Sequence, residues 1–350
     1  MSAPIAAAEE KGTDMPHPDA TPLLEFDALT VVYKGANRKP FRAVDHVSFS
    51  VARGETVGLV GESGSGKTTI GSTAVGLAPV SSGTIRFKGE DITRARPARR
   101  RALSAQLQVI FQDPYSSLNP LRTVGQTLAE PLLVHRSLRQ KGANAEVVSM
   151  LERVGLDASA AARYPANFSG GQRQRIAIAR ALMVSPELVI CDEAVSALDL
   201  SVQAQVLNLL LTLQQEFRVS YLFISHDLAV VRHMCDRIVV LYRGQIMETG
   251  DSQTIHDQPE HPYTQALLSA SPIPNPQAQA VQRKRIQLAL APARPHAATA
   301  ACPFANRCPL TTDICETQAP ALVTGPTGSQ VACHHVDEAL TRHIGRRATA

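Results

Sequence analysis

The stretch "GESGSGKTT", Gly61 to Thr69, concentrates glycines, a lysine and two threonines in the order G-x-x-x-x-G-K-T. Gly61, Gly64 and Gly66 let the backbone curl until successive N–H groups face one point, and a helix starting just beyond adds the positive end of its dipole. That is a cradle for a nucleotide's phosphate chain, with Glu62, Ser63 and Ser65 filling the loop and Thr69 following it. Lys67 would neutralise the β- and γ-phosphates, and the Thr68 hydroxyl would ligate Mg²⁺. In "LVICDEAVSALD", 188–199, an apolar run ends on paired carboxylates. Asp192 there would hold the magnesium shell and Glu193 would polarise a water. A second anion site is expected in "FSGGQRQRIAIARAL", 168–182. Ser169 can cap a helix, Gly170 and Gly171 allow close backbone approach, and Gln172 lies in the first turn. A single chain offers no second nucleotide for it.

Such residues need a sheet to hold them. From Leu24 to about Asp251, short β-branched runs alternate with helical stretches, the pattern of an α/β domain with a largely parallel core sheet. Strands are predicted at 29–33, 46–51, 56–60, 84–88, 107–111, 188–192, 221–225 and 237–242. Several are apolar on nearly every residue, so they are buried on both faces. "TVGLV", 56–60, runs directly into the glycine loop, and Asp192 ends its own strand, so both sites fall at strand C-terminal edges, where α/β sheets bind ligands. No strand is predicted between Thr123 and Pro165, where apolar residues recur at helical spacing. Residues 201–217 form an amphipathic helix with Val202, Val206, Leu209, Leu210, Leu213 and Phe217 on one face.

The chain has 350 residues, 44% of them hydrophobic, and a net charge of +4, which is too mild to require nucleic acid. The basic run "TRARPARRR", Thr93 to Arg101, is expected to be a solvated surface loop. No stretch is apolar for long enough to span a bilayer, and Glu9 and Glu10 interrupt the N-terminus before a signal peptide could form. Residues 1–21 read as a disordered tail, 22–270 as the main domain with a helical subdomain at about 113–182, 271–300 as a Pro/Ala/Gln-rich linker, and 301–350 as a small C-terminal module.

With the three motifs in this order, the sequence resembles the ATP-binding cassette (ABC) ATPases over about residues 24 to 270. The resemblance implies an α/β fold with a mixed sheet, and a dimer in which the Ser169–Gln172 signature reaches the ATP held by the facing subunit. It also implies that Tyr33 stacks on adenine, that Gln112 senses Mg²⁺ and the attacking water, that Asp199 contacts the opposite subunit, and that His226 touches the γ-phosphate. Phe168 stands where the family often has leucine, a packing change. "FQDPYSSLNP" (111–120), "DEAVSALDLSVQAQVLNLL" (192–210) and "HPYTQALL" (261–268) are similar to the ATPase subunits of dipeptide and oligopeptide importers. These imply a peripheral subunit on the cytoplasmic face of a bacterial inner membrane, paired with a second, related ATPase under two permeases served by an extracytoplasmic binding protein. Relatives also carry nickel complexes or glutathione. Readings of another class are a soluble ABC ATPase acting on nucleic acid or the ribosome, which would carry tandem cassettes or long insertions, and a non-catalytic regulatory subunit.

Four of the six cysteines, Cys302, Cys308, Cys315 and Cys333, cluster late, in the spacing C-x5-C-x6-C-x17-C. Without a secretory signal a disulfide framework is not expected. Four thiolates suit a [4Fe–4S] cluster or structural Zn²⁺; His334 and His335 keep zinc open, the lack of close C-x2–4-C pairs speaks against it, and unliganded thiols are the third reading. Resemblance to peptide-importer ATPases that hold a cluster in this region favours iron–sulfur.

Overall fold

The structure, a computed structural model, describes residues 21–34, 40–113, 117–136, 140–270 and 301–342. The expected tail, save Thr21, and the expected linker lie outside the described residues. In chain order the main sheet is built from β3 (Thr56–Val60), β6 (Leu107–Ile110), β7 (Leu188–Asp192), β8 (Ser220–Ser225), β9 (Arg237–Tyr242), β10 (Gln245–Asp251), β11 (Val323–Thr324) and β12 (Gln330–Val331). Spatially they run β11-β12-β10-β9-β3-β8-β7-β6. The run from β9 to β6 is parallel, and β10, β12 and β11 are added antiparallel, so the sheet is mixed. β1 (Leu24–Lys34), β2 (Pro40–Val51), β4 (Ser82–Phe87) and β5 (Glu90–Asp91) make a separate antiparallel sheet ordered β2-β1-β4-β5.

Why the central strands are apolar on both sides is visible in how their residues divide. Val60, Val189, Cys191, Tyr221, Phe223, Ile238 and Val240 point into one core. Their neighbours Val57, Leu59, Leu188, Ile190, Leu222, Ile224, Val239 and Leu241 point into another. The period-two alternation of a strand sends each set to its own face. The first core is covered by helices: α3 (Val124–His135), α4 (Gln140–Arg153), α5 (Gly170–Leu182), α6 (Leu200–Phe217) and α7 (Leu228–Met234). The second is closed by α1 (Lys67–Ala74), through Ile70 and Ala74, and by Phe26, Val44 and Ile85 of the smaller sheet.

The strandless stretch after Thr123 holds α3, α4 and short 3-10 turns. Residues Val206, Leu207, Leu210 and Leu213 form the buried stripe of α6, with Val202, Leu209 and Phe217 at its margin. Differences from the sequence reading are local. The basic run is not simply a wet loop: Pro97–Leu103 form helix α2, and Arg100 donates to the Ala74 and Ile92 carbonyls at 2.8 and 2.6 Å. Strand β10 was not foreseen, because its apolar run is interrupted by Glu248, which is fully buried. The C-terminal segment joins the main sheet: β12 pairs with β10 through Val331–Glu248 and Gln330–Thr249. Phe304 is buried in the first core, so this segment shares packing with the rest of the molecule. Among the described residues no helix is long and apolar enough to cross a membrane.

Candidate functional site

Strand order sets the site. β3, β8, β7 and β6 lie side by side and parallel. Their C-terminal ends therefore deliver, in a row, the loop 61–66, His226, the Asp192–Glu193 pair and Gln112.

The loop 61–66 leaves β3 and ends at α1. Gly66 has φ 101°, and a Cβ there would lie 2.4 Å from the Ala43 carbonyl oxygen, so only glycine fits. Lys67, the first residue of α1, is 4% exposed. Its Nζ donates to the Gly61 and Glu62 carbonyls at 2.8 and 2.9 Å and lies 3.4 Å from Ser65 Oγ. Burial pulls its pKa down, opposed by the negative charges of Glu193, Asp192 and Glu62. Ser63, Gly64 and Thr68 are exposed, and Thr69 is half-buried.

The Thr68 hydroxyl donates to Asp192 Oδ1 at 2.9 Å, tying the β3 edge to the β7 edge. Burial raises the Asp192 pKa, and Glu193 adds to the rise, while Thr68 and Lys67 oppose it. Glu193 has φ 48°, a left-handed conformation costly for a residue with a Cβ, held by its N–H donating to the Ile224 carbonyl at 3.0 Å. His226 Nδ1 lies 3.4 Å from Glu193 Oε2. Its neighbours fix it: Asp227 N–H donates to Ser225 Oγ at 3.0 Å, and Asp227 Oδ1 accepts from Ala229 N–H at 2.8 Å to cap α7.

Gln112, just beyond β6, is exposed, and Tyr33, near the end of β1, is half-buried against the second core. Asp199 is the exposed N-cap of α6. The SGGQ stretch forms a complete capping box: Ser169 Oγ accepts the Gln172 N–H at 3.4 Å, and Gln172 Oε1 accepts the Ser169 N–H at 3.1 Å. A Cβ on Gly171 would lie 2.4 Å from Val202 of α6, so close helix approach demands glycine there. Phe168 is buried beneath the Arg163 guanidinium, a packing role.

The C-terminal cysteines are free, as are Cys191 and Cys235, both buried. Cys302 N–H donates to the Cys315 carbonyl at 2.9 Å. Backbone N–H groups of Leu310 and His335 donate to the sulfurs of Cys308 and Cys333 at 3.4 and 3.3 Å. Burial raises the thiol pKa of Cys302, pushes that of Cys308 up to about 12 and that of Cys333 to about 11, and each is raised further by neighbouring cysteines. Donor chemistry thus fits a metal or cluster, but the expected centre is not assembled: among the described residues no three His, Cys, Asp or Glu side chains are grouped to hold an ion.

Sequence reasoning missed the chemistry of Tyr263 and Arg307. Tyr263 Oη accepts the Glu62 N–H at 2.9 Å, and Arg307 Nη1 donates to both Glu62 carboxylate oxygens at 3.0 and 3.1 Å. Tyr263 stood in "HPYT" as a family marker, and no local pattern flags Arg307.

The strand-end row and the phosphate-loop geometry define a nucleotide-binding α/β protein of the ATP-binding cassette class. Residues 44–196 match the ABC transporter family, and residues 247–315 match the family described as Oligopeptide/dipeptide transporter, C-terminal region. The oligopeptide transport ATP-binding protein AppF of Bacillus subtilis is 48% identical over 84% of this chain and 89% of its own length. The dipeptide transport ATP-binding protein DppF of Haemophilus influenzae is 44% identical over 91% of this chain and 98% of its own. Among solved structures, a post-hydrolysis dimer of the ATP-binding cassette MJ0796 bound to ADP and Pi superposes with TM-score 0.60 at 25% identity, covering 65% of this chain and 98% of that one. The chain belongs to the ABC transporter family, in the branch of the oligopeptide and dipeptide transport ATP-binding proteins.

Proposed function

We propose that this protein is the ATP-hydrolysing subunit that powers import of peptides across a bacterial inner membrane. The observation that carries the reading is the convergence, at one sheet edge, of the buried Lys67, the Thr68–Asp192 pair at 2.9 Å and the Glu193–His226 pair at 3.4 Å. The paired Thr68 hydroxyl and Asp192 carboxylate are hard oxygen donors of the kind Mg²⁺ takes. Mg²⁺, when bound there, draws charge from the phosphate oxygens. Lys67 exchanges its loop carbonyls for the β- and γ-phosphate oxygens, Tyr33 stacks on adenine, and Gln112 orients the attacking water. Glu193 accepts that water's proton, with His226 steadying the γ-phosphate. Ser169, Gly170, Gly171 and Gln172 present an exposed helix N-terminus, and Asp199 an exposed cap, to the nucleotide and loop of a facing ATPase.

The partners follow from the family branch: a second, different ATPase, two permeases and an extracytoplasmic binding protein, with this chain peripheral on the cytoplasmic face. The division into 22–270, a helical subdomain near 113–182 and the segment from 301 follows the same reading. Cys302, Cys308, Cys315 and Cys333 would hold a [4Fe–4S] cluster that staples the C-terminal segment, with zinc as the second candidate; the reading rests on four thiols in one short segment, a full ligand complement for such a centre. Protein purified without oxygen is expected to be brown and to contain iron; colourless protein containing zinc and no iron would overturn the assignment.

For hydrolysis the test is Glu193→Gln. ATP turnover is expected to fall by at least about a hundredfold, from loss of the general base, while ATP binding persists. Turnover equal to wild type would refute the assignment of Glu193.

A further inference from the structure

The residues His261, Pro262 and Tyr263 do structural work that ends at the nucleotide loop. Glu248 of β10 accepts the N–H groups of Glu260 and His261 at 2.8 and 3.0 Å, anchoring the turn that leads into helix α8 (Pro262–Ala270). His261 Nδ1 accepts the Tyr263 N–H at 2.9 Å, and its ring also bonds the Ala332 backbone, so the imidazole is neutral with its proton on Nε2. Locked in this way, Tyr263 is 1% exposed, and its hydroxyl oxygen accepts the Glu62 N–H.

Arg307 arrives from the other side. Its Nη1 bridges both Glu62 carboxylate oxygens, and it comes from the short segment between Cys302 and Cys308. That segment also carries Phe304, whose ring packs against Tyr242 and Tyr263 with both centroids 5.4 Å away. Lys67 holds the Glu62 carbonyl at 2.9 Å. The N–H, the carbonyl and the side chain of one loop residue are therefore each gripped by a different part of the chain. When Lys67 turns to a phosphate it releases the carbonyl, and the grips that remain are those of Tyr263 and Arg307.

We propose that Tyr263 and Arg307 are positioning residues of the nucleotide site: through Glu62 they hold the phosphate-binding loop in its receptive shape and make ATP affinity depend on the seating of the C-terminal segment. The inference rests on the reading of residues 61–69 as the nucleotide loop. Glu62 lies on the β3 loop, whereas Glu193 and His226 end other strands, so loosening it weakens binding more than the chemical step.

The test uses the purified full chain, with calorimetric ATP titration and steady-state hydrolysis. Tyr263→Phe, which deletes one oxygen, and Arg307→Ala are each expected to raise both Kd and KM for ATP roughly three- to tenfold, from losing a hydrogen bond or charge-assisted pair, while kcat stays within about twofold. Arg307→Lys should recover most of the affinity. In a Glu62→Gln background, adding Arg307→Ala should have little further effect, whereas a general structural role would give effects that multiply. Unchanged Kd in both single variants, multiplying effects, or a loss confined to kcat would overturn the proposal. Wild-type protein that fails to bind ATP would overturn the nucleotide-site reading and this inference with it; normal wild-type binding with unaffected variants would overturn the inference alone.

Discussion

Glu193 is where local cost and chemistry meet. A left-handed φ of 48° on a non-glycine residue costs about 1–3 kcal/mol, and the surrounding bonds hold it there. Ser196 N–H and Oγ both donate to the Glu193 carbonyl, at 3.1 and 2.9 Å, so the turn is fixed before any nucleotide arrives. Buried Glu248 is a different case. Burial pushes its pKa up to about 7, against the hydrogen bonds it accepts from the Glu260 and His261 backbone. A carboxyl that holds its proton more tightly folded than unfolded contributes stability that is complete below its ordinary range and lost as pH rises through about 7. Its neighbour His261, pulled down to about 3 by burial, works in the opposite sense: its contribution is full above about 6.5 and lost as pH falls toward 3. Between about pH 6.5 and 8 the Glu248 effect dominates this pair. Glu248→Gln should therefore show a smaller fall in melting temperature over that interval than wild type, measured by scanning calorimetry. Parallel curves would contradict a buried, titrating Glu248.

At the level of elements, what could be read ahead of the fold was what depends on local pattern. β3, β7, β8 and β9 were legible because sheet strands covered on both faces are apolar throughout, and the first three carried a site residue at or just past the strand end. The strand order that brings Lys67, His226 and Asp192 into one row is set by long-range pairing, and no single stretch encodes it. β10 escaped because its inward Glu248 is explained by a helix thirteen residues away in contact, not by its neighbours in sequence. The same holds for Arg307, whose partner Glu62 is 245 residues distant in sequence. Helix α3 begins on a capping box: Thr123 Oγ1 accepts the Gln126 N–H at 3.2 Å, and Gln126 Oε1 accepts the Thr123 N–H at 3.0 Å. Thr123→Ala should cost about 1 kcal/mol of stability, seen as a lower denaturation midpoint, with ATP KM unchanged. A shift in KM without a change in midpoint would mean that this helix does more than pack.

For the whole molecule, the sheet joins two ends of the chain. Its central strand edges carry the nucleotide residues, while its β10–β12 margin carries the C-terminal segment whose Arg307 returns to Glu62. The exposed Ser169 cap completes its bonds within its own turn, at the helix N-terminus proposed to meet a facing ATPase. The proposed assembly with permeases and a second ATPase does work only if turnover and transport are coupled. The most direct measurement is peptide uptake into proteoliposomes holding the permeases, the paired ATPase and this chain, with binding protein and ATP supplied. Peptide should stimulate hydrolysis and accumulate in the lumen with wild-type protein, and both should be lost with Glu193→Gln. Undiminished, ATP-dependent uptake with the Glu193→Gln chain would contradict the account.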